Sequence, residues 1–236
     1  AGRDDSRLAQ ITADIFGRVQ SHPDPVQWLE NQKALWELEG ISDLSQNPWG
    51  RLLLEEVRRQ AGFCRGRLLR ALELCRTDEL LEVNYAPSIS ACLEQLEELL
   101  DVQTWDRAAA LLPVVFPAAG RKRKRRLAVS PFEEERSIRT GEQVKAIRTR
   151  CKKVLDKAAE PFFGDTAAQL EELALSRPAV QALMELVLDF QTAFSREKAR
   201  RGLVDFSDLE HFAVRLLTDQ AGNPSELAQY WAARYD

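Results

Sequence analysis

The longest helical pattern in the chain runs from residue 47 to residue 76 and reads NPWGRLLLEEVRRQAGFCRGRLLRALELCR. Asn47 and Pro48 open it, and apolar side chains then recur every three or four residues, the spacing of one helix face. This stripe comprises Leu53, Val57, Ala61, Cys64, Leu68, Leu72 and Cys75. Its mean spacing of about 3.67 residues predicts a face with little supercoil, slightly right-handed if any. Gly62 and Gly66 lie inside the pattern and predict a bend or a close helix contact, since each costs about 1 kcal/mol relative to Ala.

The same periodicity extends over most of the 236 residues and favours an all-α fold. Gly (11) and Pro (10) are sparse, and no stretch shows the sustained alternation of a half-buried strand. Pro suits the first helical turn and Gly the C-cap, so Pro87 and Pro178 are predicted to begin helices and Gly40 to end one. The predicted helices span residues 5–21, 25–38, 47–76, 87–100, 105–112, 142–160, 166–177, 178–201, 205–217 and 224–234.

Positive charge is concentrated in one segment of a chain whose net charge is only −4. Residues 120–157 carry 14 basic and 5 acidic side chains, a balance of +9, whereas the parts before and after carry −7 and −6. The segment includes the run RKRKRR at 121–126, inside a Pro- and Gly-containing stretch that is predicted to be a loop from 113 to 141. A basic helix at 142–160 follows it. Because a polyanion responds to local charge, this segment is the candidate for binding a phosphate backbone.

The motifs of nucleotide hydrolysis are absent from the sequence. There is no G-x-x-x-x-G-K-[ST] and no G-x-S-x-G, and Asp78–Glu79 matches a Walker B box only in its first two letters, without a preceding apolar strand. His22 lies in a turn before Pro23, and His211 lies on a predicted helix with a structural or exposed role. We therefore expect no catalytic residue and no cofactor-binding residue in this chain.

Four cysteines form no CxxC pair, and only two histidines accompany them, so no metal site is expected. They are Cys64, Cys75, Cys92 and Cys151. Free Cys on an apolar helix face behaves as a small hydrophobe, which predicts four reduced core thiols in a cytosolic protein.

Several phrases of the sequence carry a family resemblance. EKARRGLVDFSDLEHFAVRLL at 197–217 resembles the segment before the Walker B strand in superfamily 1 DNA helicases of the UvrD and RecB type, which contain D-F-x-D-L. SHPDPVQWLE at 21–30, NPWGRLLLEEVRRQ at 47–60 and VQALMELVLDFQTAF at 180–194 look like the A subunit of the AddAB-type ATP-dependent helicase/exonuclease, in the same order. The resemblance covers most of the chain.

The resemblance implies a place within a longer protein. Residues 1–201 would be an elongated helical accessory domain of the 1B type, an arm carrying the basic loop 113–141. Residues 202–236 would be a returning segment of the 1A-type helicase core, ending before Walker B. The intact parent would use ATP and Mg in double-strand break repair and recombination, in the bacterial cytoplasm. Its partners would be duplex DNA near the fork, the remainder of the parent polypeptide, and a second, B-type subunit, with no membrane. This chain alone would be neither ATPase nor nuclease.

Charge, rather than any family signature, selects the candidate DNA contacts. They are Arg121, Lys122, Arg123, Lys124, Arg125 and Arg126 in the run, and Lys145, Arg148, Lys152 and Lys153 on the basic helix. Lys and Arg without interleaved aromatic residues suit duplex backbone better than stacked single strands. Two alternatives stay open: the basic residues are only a solvated surface, or the chain is a protein–protein scaffold that docks on the helicase core or partner subunit without touching DNA.

The D-F-x-D-L phrase stands here as Asp205, Phe206, Ser207, Asp208 and Leu209. Its acids are interpreted as helix-capping and core-docking groups rather than metal ligands. If the core lies outside the chain, the helix at 205–217 should expose apolar side chains such as Phe206, Leu209 and Phe212. The long helix before it is predicted to be buried on Val180, Leu183, Met184, Val187, Phe190 and Phe194.

Overall fold

The computed structural model describes residues 5–119, 129–219 and 221–235, and every regular element in these ranges is helical apart from one isolated bridge between Thr218 and Pro224. The all-α prediction is confirmed. The helices are α1 (Ser6–Val19), α2 (Pro25–Ala34), α3 (Pro48–Cys75), α4 (Glu79–Leu100), α5 (Trp105–Leu111), α6 (Pro131–Ala159), α7 (Thr166–Arg201), α8 (Phe206–Leu217) and α9 (Glu226–Ala232), with a 3-10 turn at Leu44–Gln46.

The chain divides into two compact units. The central unit comprises Leu38–Glu172, and the terminal unit comprises Ala1–Glu37 together with Leu173–Asp236. The expected division between residues 201 and 202 separates an accessory domain from the helicase core of a longer protein. The compact units of this chain do not test that division, so it stays a prediction.

Helix α3 is the centre of the central unit and packs against both α4 and α6. Its buried side chains are Leu54, Val57, Ala61, Cys64, Leu68, Ala71 and Cys75. They alternate four- and three-residue steps, a heptad spacing of about 3.5 residues. The predicted eleven-residue stripe is therefore wrong at two places, where Leu54 replaces Leu53 and Ala71 replaces Leu72. At each place two adjacent residues are apolar, so the sequence pattern does not show which of the two is buried. The contacts of α3 with α4 and α6 select Leu54 and Ala71.

The close approach on α3 occurs at Gly50 rather than at Gly62 or Gly66. A Cβ on Gly50 would overlap the backbone carbonyl of Leu44, whereas one on Gly62 would make ordinary contact with Leu100 and one on Gly66 would meet no atom. The 3-10 turn thus lies directly on the first turn of α3, and only glycine leaves room for it.

Three helix boundaries differ from the prediction, and at α4 a side-chain cap outweighs the preference of Pro for the first helical turn. Asp78 accepts hydrogen bonds from the backbone N–H groups of Leu80 and Leu81, so α4 begins at residue 79 and Pro87 lies inside it. Asp165 accepts from the N–H of Ala168 near the start of α7, which continues through Pro178. Helix α2 ends at Ala34, before Gly40.

The predicted loop 113–141 is wrong in its C-terminal part. Ser130 accepts from the backbone N–H of Glu133, and the Glu133 carboxylate accepts from the N–H of Ser130, which together form a capping box. Pro131 occupies the first helical position. Helix α6 therefore begins at residue 131, eleven residues earlier than predicted.

A polar cluster ties the connections of the central unit together. The Asp43 carboxylate accepts from the backbone N–H groups of Trp105 (2.9 Å) and Asp106 (3.3 Å). Asp106 in turn accepts from the N–H of Thr166 at 2.6 Å, and the Thr166 hydroxyl accepts from the N–H of Leu44 at 3.0 Å. Burial by itself raises the pKa of Asp43, but hydrogen bonds from Ser45, Trp105 and Asp106 outweigh it and the pKa lies below its ordinary value.

The terminal unit has a smaller core, formed by Val19 of α1, Leu29 of α2 and Val187 of α7. Phe16 packs edge-on against Phe190 and Phe194, at ring-centroid distances of 5.0 and 5.5 Å. Of the six residues predicted to be buried on this part of α7, only Val187 is fully buried and Phe190 is exposed. Within the terminal unit, the short helices α1 and α2 do not enclose α7 on all sides.

Gly50 and Gly66 of α3 give a matched test of the turn. Gly50→Ala is expected to lower the free energy of unfolding by about 1–3 kcal/mol, because a backbone carbonyl must move. Gly66→Ala is expected to raise it by about 0.5–1 kcal/mol, because the site is open and Ala is the better helix former. Denaturant unfolding of the full chain measures both. Equal effects at the two positions would show that the turn does not rest on Gly50.

Asp43→Asn tests the polar cluster. In the variant, the side-chain NH2 group of Asn faces a backbone N–H from which the wild-type carboxylate accepts. We therefore expect the free energy of unfolding to fall by about 1–3 kcal/mol at neutral pH. Since the pKa of Asp43 is lowered in the folded protein, its contribution is present above the ordinary Asp pKa of about 3.9 and is lost as pH falls through the folded value. Denaturant unfolding from pH 7 to pH 3 should therefore show the difference from wild type shrinking. Asp189→Asn, at an exposed site on α7, is the control. A constant difference would contradict the assignment.

Candidate nucleic-acid interface

The run at 121–126, Arg121 to Arg126, lies outside the described residues, but the stretch before it is well anchored. The side-chain amide of Gln95 on α4 pairs with both backbone groups of Val115: Val115 N–H donates to Oε1 at 2.9 Å, and Nε2 donates to the carbonyl at 3.0 Å. Arg148 of α6 donates to the carbonyl oxygen of Pro117 at 2.7 Å. Residues before the run are thus held against α4 and α6, and residues after it enter the capping box of α6.

The four candidate residues on α6 do not share one face. Lys145 and Lys152 are seven residues apart and lie on one flank, since a helix turns about 100° per residue. Lys153 lies about a quarter turn further round, opposite the buried side. Lys145, Lys152 and Lys153 are exposed, and Lys152 is paired with Asp156 at 2.8 Å.

Arg148 lies inward and is an anchor rather than an exposed cation. Besides its bond to Pro117, its guanidinium lies close to two core thiols. Burial raises the pKa of Cys92 and of Cys75, the latter to about 11, and the Arg148 charge opposes the rise in both. Its contact with DNA stays a prediction, and the structure shows the side chain already used inside the central unit.

The predicted set of DNA contacts leaves out two exposed cations of α6. Arg150 and Lys157 lie three and four residues from Lys153 and share its outward face, and neither has an ion-pair partner among the described residues. A helical wheel of 142–160 alone could have placed them, since both fall on the exposed side of the predicted stripe.

The acids of the D-F-x-D-L phrase are held by a lysine that sequence reasoning also missed. Asp205 caps α8 by accepting from the N–H of Asp208, and Asp208 accepts from the N–H of Asp205. Lys198 of α7 donates to Asp205 at 2.9 Å and to Asp208 at 2.7 Å, with its side chain only 15% exposed. Hydrogen bonds from Lys198 and from the Asp208 backbone lower the pKa of Asp205. The phrase forms the N-cap and first turn of α8, and Gly202, at φ +64°, lies in the turn that precedes it.

Two of the phrases that carry the resemblance meet in the terminal unit. The Nε2 atom of His211 on α8 lies 3.0 Å from the backbone carbonyl of His22, so Nε2 carries the proton and donates. The His22 ring stacks on Trp28 at 4.3 Å, and Asp24 caps α2 by accepting from the N–H of Gln27. SHPDP and the helix after DFSDL are therefore parts of one packed arrangement, although they lie 189 residues apart.

Helix α8 exposes the apolar surface that was predicted. Phe206 is 86% exposed, Leu209 and Phe212 are also exposed, and no residue of the helix is buried. Helix α9 adds Leu227, Tyr230 and Trp231. Scattered single apolar residues are normal on a protein surface, whereas several on neighbouring helices are typical of a surface that another polypeptide covers.

Neither a metal centre nor a membrane span is found within the described ranges. No group of three or more His, Cys, Asp or Glu side chains lies close enough to hold a metal ion there. No helix in the same ranges has the length and apolar character needed to cross a membrane.

Comparison with known proteins gives relatives with one description, the A subunit of an ATP-dependent helicase/nuclease. The chain is 28% identical over 242 residues to the one from Ruminiclostridium cellulolyticum, a match that covers 99% of this chain and 19% of that protein. It is 29% identical over 240 residues to the one from Bacillus pumilus, with the same coverage. The relative from Clostridioides difficile is 28% identical over 235 residues, or 95% of this chain and 18% of that protein.

The chain is similar to one segment of helicase/nuclease A subunits. This confirms the resemblance to the AddAB-type A subunit that the sequence phrases indicate. The chain spans about a fifth of the length of the relatives it matches. No protein-family model matches it.

Lys198→Met tests whether the lysine organises the α7–α8 turn. Met keeps an apolar stem but leaves the Asp205 and Asp208 carboxylates without their shared cation, so we expect a loss of about 1–3 kcal/mol. Amide hydrogen exchange of α8 should accelerate before that of α3 changes. Arg196→Met, at an exposed position of the same helix, is the control and should change stability by less than about 0.5 kcal/mol. Unchanged exchange in α8 of the Lys198 variant would contradict the role.

Proposed function

We propose that this chain is a DNA-contacting accessory region of an ATP-dependent helicase/nuclease A subunit. The observation that carries the proposal is the similarity along almost the whole chain to proteins of that description, joined to the +9 balance within residues 120–157. The parent's use of ATP and Mg, its role in double-strand break repair and its pairing with a B-type partner are part of the same proposal. The ATP-hydrolysing and nuclease motifs would lie in other parts of the parent.

The basic segment suits sequence-independent contact with duplex backbone. Phosphate contacts by Lys and Arg release condensed counterions, and this release drives binding without reading bases. The exposed cations of α6 that support such contact are Lys145, Lys153, Arg150 and Lys157. None of these four stacks on an aromatic ring in the described residues, whereas single-strand binding relies on stacking platforms.

The anchored flanks add a physical reason for the basic run to serve as a contact. Val115 and Pro117 are fixed on α4 and α6, and Ser130 and Pro131 fix the start of α6. The described residues on both sides of the run are therefore held at α6. Cations attached to fixed ends lose less conformational entropy on binding than cations on a free tail.

A second candidate function is a scaffold that docks on the rest of the parent polypeptide or on the partner subunit. The exposed apolar side chains of α8 and α9 favour it. The two functions are compatible, because the cations lie in the central unit and the apolar patch lies in the terminal unit. They differ in what they require of the basic residues, since docking through α8 needs none of them.

Duplex binding measured by fluorescence anisotropy across a salt series tests the DNA proposal. If about four phosphates are neutralised, the log–log salt slope of the wild type should be near −3.6. Replacing all six basic residues of the run at 121–126 with Ser should weaken binding and flatten the slope. Lys145→Ser with Lys153→Ser should flatten it by up to about 1.8 if both contact phosphate.

Arg7→Ser with Arg18→Ser removes the same charge as the α6 pair from exposed sites on α1 and is the matched control. If the α6 pair and this control behave alike, helix α6 does not contact DNA. If changing the run leaves affinity and slope unaltered, the DNA function is overturned for that run and the scaffold function becomes the better account.

A further inference from the structure

Two cysteines from helices far apart in sequence face each other in the core of the central unit. The sulfur of Cys64 on α3 lies 3.8 Å from the backbone carbonyl oxygen of Cys151 on α6, and the sulfur of Cys151 lies 3.9 Å from the carbonyl of Cys64. Each sulfur is therefore beside the other residue's backbone, which places the two thiols against each other between the helices. Both are fully buried, at 0% and 1% exposure.

We propose that Cys64 and Cys151 form a reversible disulfide that covalently joins α3 to α6. A disulfide requires Cβ atoms about 3.5–4.5 Å apart and side chains that converge, and the reciprocal contacts of these two residues satisfy the second requirement. The other two cysteines lack such an arrangement: Cys92 donates to the carbonyl of Val115, and no cysteine lies opposite Cys75 in the described contacts. The proposal is independent of DNA binding.

The surroundings make Cys151 the attacking sulfur. The side-chain interaction between the two thiols lowers the pKa of Cys151 and raises that of Cys64. The side chains of Arg67 and Arg150 further stabilise a Cys151 thiolate against the cost of burial. Since the thiolate is the reactive form, oxidation begins at Cys151 and Cys64 resolves it.

The reaction needs a two-electron oxidant. The experiment supplies it as diamide, a reagent that contains an N=N bond. The Cys151 thiolate adds to one nitrogen of the N=N bond, and the other nitrogen takes up a proton. The Cys64 sulfur then attacks the Cys151 sulfur, the sulfur–nitrogen bond breaks, and the released nitrogen takes the second proton. Two thiols are oxidised to one disulfide and diamide is reduced to a hydrazine. Both sulfurs are buried, so the reaction proceeds through opening of the α3–α6 pair and should accelerate in sub-denaturing guanidinium.

Free thiols, counted after denaturation of the dilute, diamide-treated full chain, should fall from four to two. Peptide mapping should show Cys64 joined to Cys151, and dithiothreitol should restore all four thiols. The oxidised chain should melt at a higher temperature than the reduced chain, because the bond closes a long loop in the unfolded state.

Single alanine variants decide whether this pair is the one oxidised. Cys64→Ala and Cys151→Ala should each keep their three thiols, whereas Cys75→Ala and Cys92→Ala should each fall from three to one. Circular dichroism of every variant verifies that it is folded. The proposal is overturned if the folded wild type keeps four thiols at diamide concentrations that oxidise the unfolded chain. It is also overturned if peptide mapping joins Cys151 to Cys92.

Discussion

The constraint on which the central unit depends is the enclosure of one helix by two others. Helix α3 contacts both α4 and α6, and its buried residues follow a heptad spacing. On α6, Ser137, Val144 and Cys151 repeat the same seven-residue interval. The buried residues between α3 and α6 include the small side chains Ala61, Cys64 and Cys151. Their small volume, rather than directional bonds, allows the two helices to approach closely. The anchor Arg148 belongs to α6, and the 3-10 turn that follows Asp43 lies on the first turn of α3.

The sequence was sufficient for helix content because apolar periodicity is a property of many residues together. Boundaries depended on single side chains, and there the result was mixed. Pro48 and Trp105 begin helices as predicted, since each follows a good capping residue. Pro87 does not, because the stronger signal was the Asp78 cap nine residues earlier. The loop prediction failed over 131–141 because the Ser130–Glu133 capping box was overlooked among charged residues that resemble a solvated linker.

The candidate site was predictable in charge but not in orientation. A count of Lys and Arg finds the basic segment, yet it cannot tell that Arg148 turns toward Pro117 while Arg150 turns outward. That distinction depends on which side of α6 meets α3, a contact set by residues 87 positions away. Lys198 was missed for a related reason: its partners Asp205 and Asp208 become neighbours only when Gly202 reverses the chain.

The orientation of the cations limits how α6 can meet DNA. Lys145 and Lys152 lie on one flank, whereas Arg150, Lys153 and Lys157, at three- and four-residue spacing, share the outward face. A duplex backbone that follows one of these two faces can reach few cations of the other, because a helix is about 10–12 Å across with its side chains. The number of phosphates neutralised is thus set by geometry rather than by net charge. Lys152 is also partly satisfied by Asp156, so the outward face that carries Arg150 and Lys157 is electrostatically the freer one.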